Sequence, residues 1–202
     1  MTLKFLFDRI FALAGLILCS WFLLLIGLMV RIVDGAPVFF LQQRVGKHGK
    51  LFVIHKFRTM SNGARGTSIT VKGDRRVTKL GAFLRRYKLD ELPELWDVLV
   101  GNMSFVGPRP DVPGYADRLV GADREILHLL PGITGPATLK YRNEEELLAN
   151  EENPQQYHDE VVYPDKVRLN RYYLHHYSFW MDIKIIFATL FGKKVLFNGE
   201  YV

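Results

Sequence analysis

Cysteine is almost missing from this sequence: Cys19 is the only one, and it lies inside an apolar run. No disulfide framework can form within the chain and no cysteine-rich metal centre can be built. A reducing cytoplasmic face suits the polar part of such a chain. Also missing are a G-x-x-x-x-G-K-[ST] phosphate loop, a G-x-G-x-x-G after a strand, a G-x-S-x-G elbow and an H-E-x-x-H pair. The usual motifs for P-loop, dinucleotide, serine-hydrolase and zinc-protease chemistry are thereby excluded. There is no internal repeat and no low-complexity tract. No aromatic and basic stacking pattern marks a nucleic-acid surface, so nucleic acid is not an expected partner.

What is there begins with charge. The 202 residues carry 27 Lys+Arg against 21 Asp+Glu, a net charge of +6. That excess favours anionic partners such as membrane surfaces or phosphorylated substrates. From Ile10 to Val30 the chain reads IFALAGLILCSWFLLLIGLMV without a charge, and roughly twenty apolar residues match the hydrocarbon core of a bilayer. The run is too long for a signal peptide, and Asp34-Gly35-Ala36-Pro37 lacks a small-x-small cleavage pattern. Lys4 and Arg9 precede it and Arg31 follows, so the positive-inside rule chooses no orientation. A complete span and a helix that enters and leaves one leaflet both fit; Gly15 and Ser20 accommodate a bend.

Residues 1–36 therefore read as a membrane-embedded helix with its flanks, and 37–202 as one cytoplasmic domain. Two β-rich runs, Val38 to Gln42 and Leu51 to Phe57, predict a hairpin across the basic, glycine-containing Arg44 to Lys50. Beyond it, Lys56 and Arg58 share one face of an alternating strand, two cations that call for an anion. Ser61 to Asp74 is a polar loop. Thr78 is placed to cap a helix over Lys79 to Tyr87 with a stripe of Leu80, Phe83, Leu84 and Tyr87. Tyr115 to Leu130 reads as an amphipathic helix, Glu144 to Glu152 as an acidic, solvated stretch, and Val167 to His176 as a helix. Ser178 caps a last helix, Phe179 to Phe191, closed by Gly192. With Trp180 at one end and Lys193-Lys194 at the other, that helix suits either the domain core or a membrane interface.

The chain is organised around Leu89-Asp90-Glu91-Leu92-Pro93-Glu94-Leu95-Trp96. Leu92, Leu95, Trp96 and Leu99 fall at i, i+3, i+4 and i+7 and predict a buried helical stripe. Pro93 belongs in a first turn, so Asp90 and Glu91 stand at a helix start. They are either a cap with its neighbour or a working pair of acids. Arg85 and Arg86 end the preceding helix, and Arg109 sits between two prolines in Gly107-Pro108-Arg109-Pro110, which stiffen the backbone that carries it. Acids ringed by cations beside a membrane suit phosphoryl transfer. An aspartate can attack phosphorus to give an acyl phosphate, provided cations spread the charge that develops.

The segments FDRIFALAGLILCSW, VFFLQQRVGKHGKLFVIHKFRTM, LGAFLRRYKLDELPELWDVLVGNMSFVGPRP, PGITGPATLKYRN and YSFWMDIKIIFATL resemble the bacterial sugar transferases, the monotopic phosphoglycosyl transferases. The resemblance covers the chain to about Leu190. It implies a mostly helical α+β fold with a re-entrant membrane helix, a small hairpin and interfacial helices. It implies transfer of a phosphosugar from a UDP-sugar donor to a polyprenyl phosphate acceptor, with release of UMP, at the cytoplasmic face of the bacterial inner membrane. Matching positions make Asp90 the nucleophile and Glu91 its partner, with Mg²⁺ on this pair. Lys56, Arg58, Arg85, Arg109 and Arg142 then surround the bound phosphates.

Three segments depart from the family pattern. Ser20-Trp21 stands where relatives often have Ser-Pro, Gly135 to Asn143 reads GPATLKYRN in place of GWAQVNGRN, and Asn170 takes an often acidic position. The last two are expected to reflect sugar choice or subfamily and not lost activity. A hydrolase of nucleoside diphosphate-sugars and a non-catalytic basic membrane adaptor are the alternatives, and a homodimer is left open.

Overall fold

The computed structural model describes residues 2–61, 63 and 70–202. Its first element, α1, is an uninterrupted helix, Thr2–Val33, about 48 Å long at 1.5 Å per residue. Helical structure continues through Gly15 and Ser20, whose hydroxyl donates to the Ile17 carbonyl at 2.9 Å. The break expected of a re-entrant path is not marked by any interruption of the helix.

Both ends of α1 rest on the rest of the chain. Near its start, Lys4 reaches Asp182 at 2.6 Å and the Val106 carbonyl at 2.9 Å, and Asp8 accepts from the Phe105 N–H. One turn on, Arg9 donates to the Val98 carbonyl and Ala12 is buried against Ile54, Val98 and Met103. Near its end, Ile26 and Val30 pack with Phe57 and Leu84. The other face, including Leu18, Trp21, Leu24 and Ile32, is bare apolar surface.

The predicted hairpin forms as β1, Phe39–Val45, antiparallel to β2, Leu51–Phe57. Its first strand runs three residues past the predicted Gln42. The polar loop expected over Ser61 to Asp74 falls partly outside the described residues; at its ends Ser61 N–H donates to the Arg76 carbonyl and Lys72 N–H to the Glu145 carbonyl. Next comes α2, Lys79–Arg86, where the Thr78 hydroxyl accepts from Gly81 N–H as a cap should. The stripe assigned to this helix is only half internal: Leu84 is buried, but Phe83 and Tyr87 are exposed.

The acidic stretch corrects the prediction more sharply. Lys88 takes a left-handed turn, Leu89–Glu91 form one turn of 3₁₀ helix, and α3 begins only at Glu94, running to Val100. No side chain caps α3, so Asp90 is not its N-cap. Its buried residues are Glu94, Asp97 and Val98, while Trp96 is half exposed. Leu92, Leu95 and Leu99 are partly buried, and Leu95 meets α1 at Gly15, where a Cβ would lie 3.3 Å from its methyl. Of the predicted stripe, Leu92 precedes the helix, Leu95 meets α1, Leu99 packs on the core around Val98 and Trp96 is exposed, while the acids Glu94 and Asp97 face in.

Two three-residue strands then pair in parallel: β3, Ser104–Val106, and β4, Gly132–Thr134. The clasp tightens at Gly107, whose N–H donates to the Thr134 carbonyl at 2.9 Å, while Gly132 N–H donates to the Pro108 carbonyl at 2.8 Å. A Cβ on Gly107 would fall 2.2 Å from the Leu130 carbonyl oxygen, and one on Gly132 would fall 2.2 Å from the Gly107 nitrogen. Only glycine fits so close an approach.

Between these strands Tyr115 to Leu130 does not form the expected α-helix. It forms two 3₁₀ segments, Ala116–Arg118 and Gly121–His128, as Gly121, at positive φ, interrupts the run. The rest is helical: α4 Pro136–Lys140, α5 Glu144–Ala149, α6 Pro154–Tyr157, α7 Tyr163–His175 and α8 Phe179–Phe191. A last two-stranded ribbon, β5 Leu196–Phe197 with β6 Glu200–Tyr201, closes the chain. The main core lies between α4, α7 and α8, around Leu139, Leu169, Tyr173 and Ile185. The fold is mostly helical with three small sheets among the described residues.

Candidate active site

Lys56, near the end of β2, reaches across to the acidic turn. Its ammonium lies 2.9 Å from Glu91 Oε1 and 3.0 Å from Glu94 Oε1. Arg109, from the proline-flanked loop that the β3–β4 clasp carries, donates to the same Glu91 oxygen at 2.6 Å. Both acids are buried. Burial alone would push the Glu91 carboxyl up, but the Arg109 guanidinium and the Lys56 ammonium outweigh it and hold it well below its usual range. Glu94 goes the other way: burial pushes it up to about 7, and the Glu91 charge adds to that shift against the pull of Lys56. One acid of this pair is therefore firmly ionised and the other is balanced near neutrality.

Asp90 stands apart from these bonds. It is buried, and its Oδ1 has no hydrogen-bond partner. Burial and then the Glu91 charge raise its carboxyl above the ordinary value, against the weaker pulls of Lys56, Lys88 and Arg85. A buried acceptor left unpaired costs about 1–3 kcal/mol, so the fold keeps this oxygen free at the expense of stability. A poorly solvated, unshared carboxylate oxygen is what a nucleophile or a ligand for a hard cation requires.

The other predicted residues divide. Arg85 is close enough for its charge to act on Asp90, and its guanidinium pairs with Glu145. Arg58 follows the end of strand β2, and its guanidinium donates to the carbonyls of Asp34, Gly35 and Ala36. It staples the turn that follows α1. Arg142 donates to the Ala188 carbonyl in the last turns of α8. The acidic stretch after it is not simply solvated, because Glu144, Glu145 and Glu146 pair with Lys166, Arg85 and Lys72.

Two residues of the site went unrecognised in the sequence. Glu94 looked like an ordinary first-turn acid, and its only signal was a position three residues beyond Glu91, on the same side of the chain. Arg44 was read only as part of a basic hairpin tip. It donates to the Pro110 carbonyl at 3.0 Å and to Gln42 at 2.6 Å, holding the loop that presents Arg109.

The family model described as bacterial sugar transferase matches residues 1–196. The chain belongs to the bacterial sugar transferase family. Among its relatives, the sugar transferase EpsL of Bacillus subtilis (strain 168) is 35% identical over 196 residues, covering 97% of this chain and 88% of EpsL. An undecaprenyl-phosphate galactose phosphotransferase of Salmonella typhimurium is 34% identical over 212 residues, covering 96% of this chain and 40% of the relative. A UDP-glucose:undecaprenyl-phosphate glucose-1-phosphate transferase of Escherichia coli (strain K12) is 36% identical over 194 residues, covering 91% of this chain and 38% of the relative. The chain thus spans nearly all of EpsL but about two fifths of the two named phosphotransferases. The sugar transferase match takes in α1, the acidic turn, the Arg109 loop and α8 together.

Proposed function

We propose that this sugar transferase moves a phosphosugar from a UDP-sugar to polyprenyl phosphate through a covalent intermediate on Asp90. The observation that carries the reading is the unpartnered Asp90 oxygen, buried beside a Glu91 that two cations clamp. In the first half-reaction that oxygen attacks the sugar-bearing phosphorus, the bond to the UMP oxygen breaks, and UMP leaves with the electron pair. In the second, an oxygen of polyprenyl phosphate attacks the same phosphorus and the Asp90 carboxylate departs. Neither step requires a proton from the protein.

The neighbours have distinct tasks. Lys56 and Arg109 keep Glu91 ionised and offer positive charge to phosphate oxygens, and Arg85 adds to the field. A preorganised positive wall in a water-poor site counts for more than the same charges in water. Mg²⁺ would be held by the Asp90–Glu91 pair of carboxylates, since it takes one or two protein carboxylates and completes its shell with phosphate oxygens and water; when bound it would neutralise charge on the phosphates. Among the described residues no set of three acids or histidines is arranged to hold a metal without substrate.

The acceptor fixes where the reaction happens. A polyprenyl chain stays in the bilayer, and the bare apolar face of α1 lies on the same molecule as the acids. Because both ends of α1 touch the domain, we place the two ends on one side of the membrane, the cytoplasmic face. Relatives are named for glucose and for galactose, so the sugar of this chain is left to experiment.

The test supplies Mg²⁺, polyprenyl phosphate and a panel of UDP-sugars and measures UMP. Asp90→Asn should abolish release, and intact mass should show a phosphosugar adduct on the wild type when lipid is withheld. Activity intact in Asp90→Asn would sink the mechanism. Free sugar phosphate made without lipid would favour the hydrolase.

A further inference from the structure

Helix α8 leaves a face that the transfer reaction does not use. Ile185 and Ala188 turn into the core, and Asp182 is buried against Lys4 and Tyr173. On the other side Trp180 is 72% exposed, Leu190 72% and Phe191 67%, and Phe187 and Phe191 stack in parallel with ring centres 5.9 Å apart. Ile183, Phe187 and Phe191 form the apolar floor of an open cleft of about 440 Å³ between α8 and the chain that follows it.

Lys184, Lys193 and Lys194 stand around that floor. All three are exposed, none has a side-chain ion pair or hydrogen bond among the described residues, and no acid lines the cleft. The other basic residue at this end, Arg142, is already engaged with the Ala188 carbonyl. Lys193 and Lys194 alone could be explained as complements to the helix dipole. Lys184 cannot, since it sits in the middle of α8, two turns before its end.

We propose that this cleft binds the headgroup of an anionic phospholipid, with the lysines on the phosphate and Phe187, Leu190 and Phe191 in the acyl boundary. The proposal rests on the membrane location argued above and on no step of the chemistry. An amphipathic helix with aromatic and aliphatic residues on one side and lysines at its rim binds a bilayer surface in this way. The same helix touches α1: Phe179 at the start of α8 meets Phe7 of α1 edge to face at 5.4 Å. One lipid layer can therefore cover both. A bilayer of neutral lipid would satisfy the aromatic floor but leave three lysines without counter-charge, so the occupant is anionic.

The experiment uses the full chain with Cys19→Ser and Leu190→Cys, labelled with an environment-sensitive fluorophore, in nanodiscs of phosphatidylcholine with or without phosphatidylglycerol. The label should be shielded from a water-soluble quencher in anionic discs and open in neutral ones. Changing Lys184, Lys193 and Lys194 together to Gln should weaken docking on the order of a hundredfold, from a few-fold per lysine near an anionic surface. The same three changed to Arg should restore it. Equal shielding in both lipids, or no response to the Gln changes, overturns the proposal. UMP release in detergent should be untouched by the lysine changes, whereas Asp90→Asn should abolish release and leave the shielding intact, so the two readings fail separately.

Discussion

Two clusters of charge in this molecule are built from the same kinds of residue and behave in opposite ways. At the surface, Lys140 lies 2.7 Å from Asp165 and 2.6 Å from Glu200, and Arg168 bonds both acids again. Every carboxylate there is answered, and both acids are held below their ordinary range, Glu200 chiefly by its bond to Lys140. At the acidic turn, Lys56 and Arg109 face three buried carboxyls. They satisfy Glu91, leave Glu94 near neutrality and leave one oxygen of Asp90 with nothing. The first cluster closes the chain end onto α7. The second withholds a partner where a substrate would supply one. Unequal pairing, more than the number of charges, separates a site from a brace.

The largest effect that would break this contrast is at Asp90. Asp90→Asn should lower UMP release by at least about 10³-fold, yet raise stability at neutral pH, because it removes a buried charge that the fold leaves uncompensated. Thermal unfolding in detergent reads the second half; a loss of stability would mean that Asp90 is braced after all. Arg109→Ala should cost about 10²-fold in turnover, the scale of losing one preorganised electrostatic partner. It should also destabilise the chain, since it removes one of the two cations holding Glu91.

Glu94 gives a pH signature. Its carboxyl, at about 7 in the folded chain against an ordinary 4.5, binds a proton more tightly folded than unfolded. Its contribution to stability is therefore full below pH 4.5 and lost as pH rises through 7. Glu94→Gln cannot ionise, so its stability relative to wild type should rise between pH 5 and 8 and then level; denaturant midpoints across that range check it. Smallest of all should be Glu200→Gln. Breaking partly exposed pairs is expected to cost no more than about 1 kcal/mol, with UMP release unchanged.

Local rules carried far in this chain. Thr78 and Ser178 cap their helices as their side chains predict, and Gly192 ends α8 in the left-handed geometry that favours glycine. The hairpin was legible because alternation and glycines agree. The acidic turn was legible in composition and misread in shape. Period assigns residues to a face of a helix but does not say whether that face meets the core or the surface, and Trp96 and Phe83 take the second course. The carbonyl partners of Arg58 were not legible, because a cation beside a cation says nothing of the three carbonyls that the turn after α1 brings to it. Glu94 was hidden because its role depends on Lys56, 38 residues earlier in the chain, and only the fold joins them.

The glycine clasp between β3 and β4 has a consequence for how this chain tolerates change. Gly107-Pro108-Arg109-Pro110 and Pro131-Gly132-Ile133-Thr134-Gly135 look like two unrelated turns in the sequence, but their backbones interlock within van der Waals contact, and a Cβ on Gly135 would also strike the Gly107 carbonyl, at 2.3 Å. The aim of Arg109 is thus set by atoms some 25 residues further along the chain. A methyl group added at any of these three glycines would act as a misalignment of that guanidinium first, and as a defect in folding second.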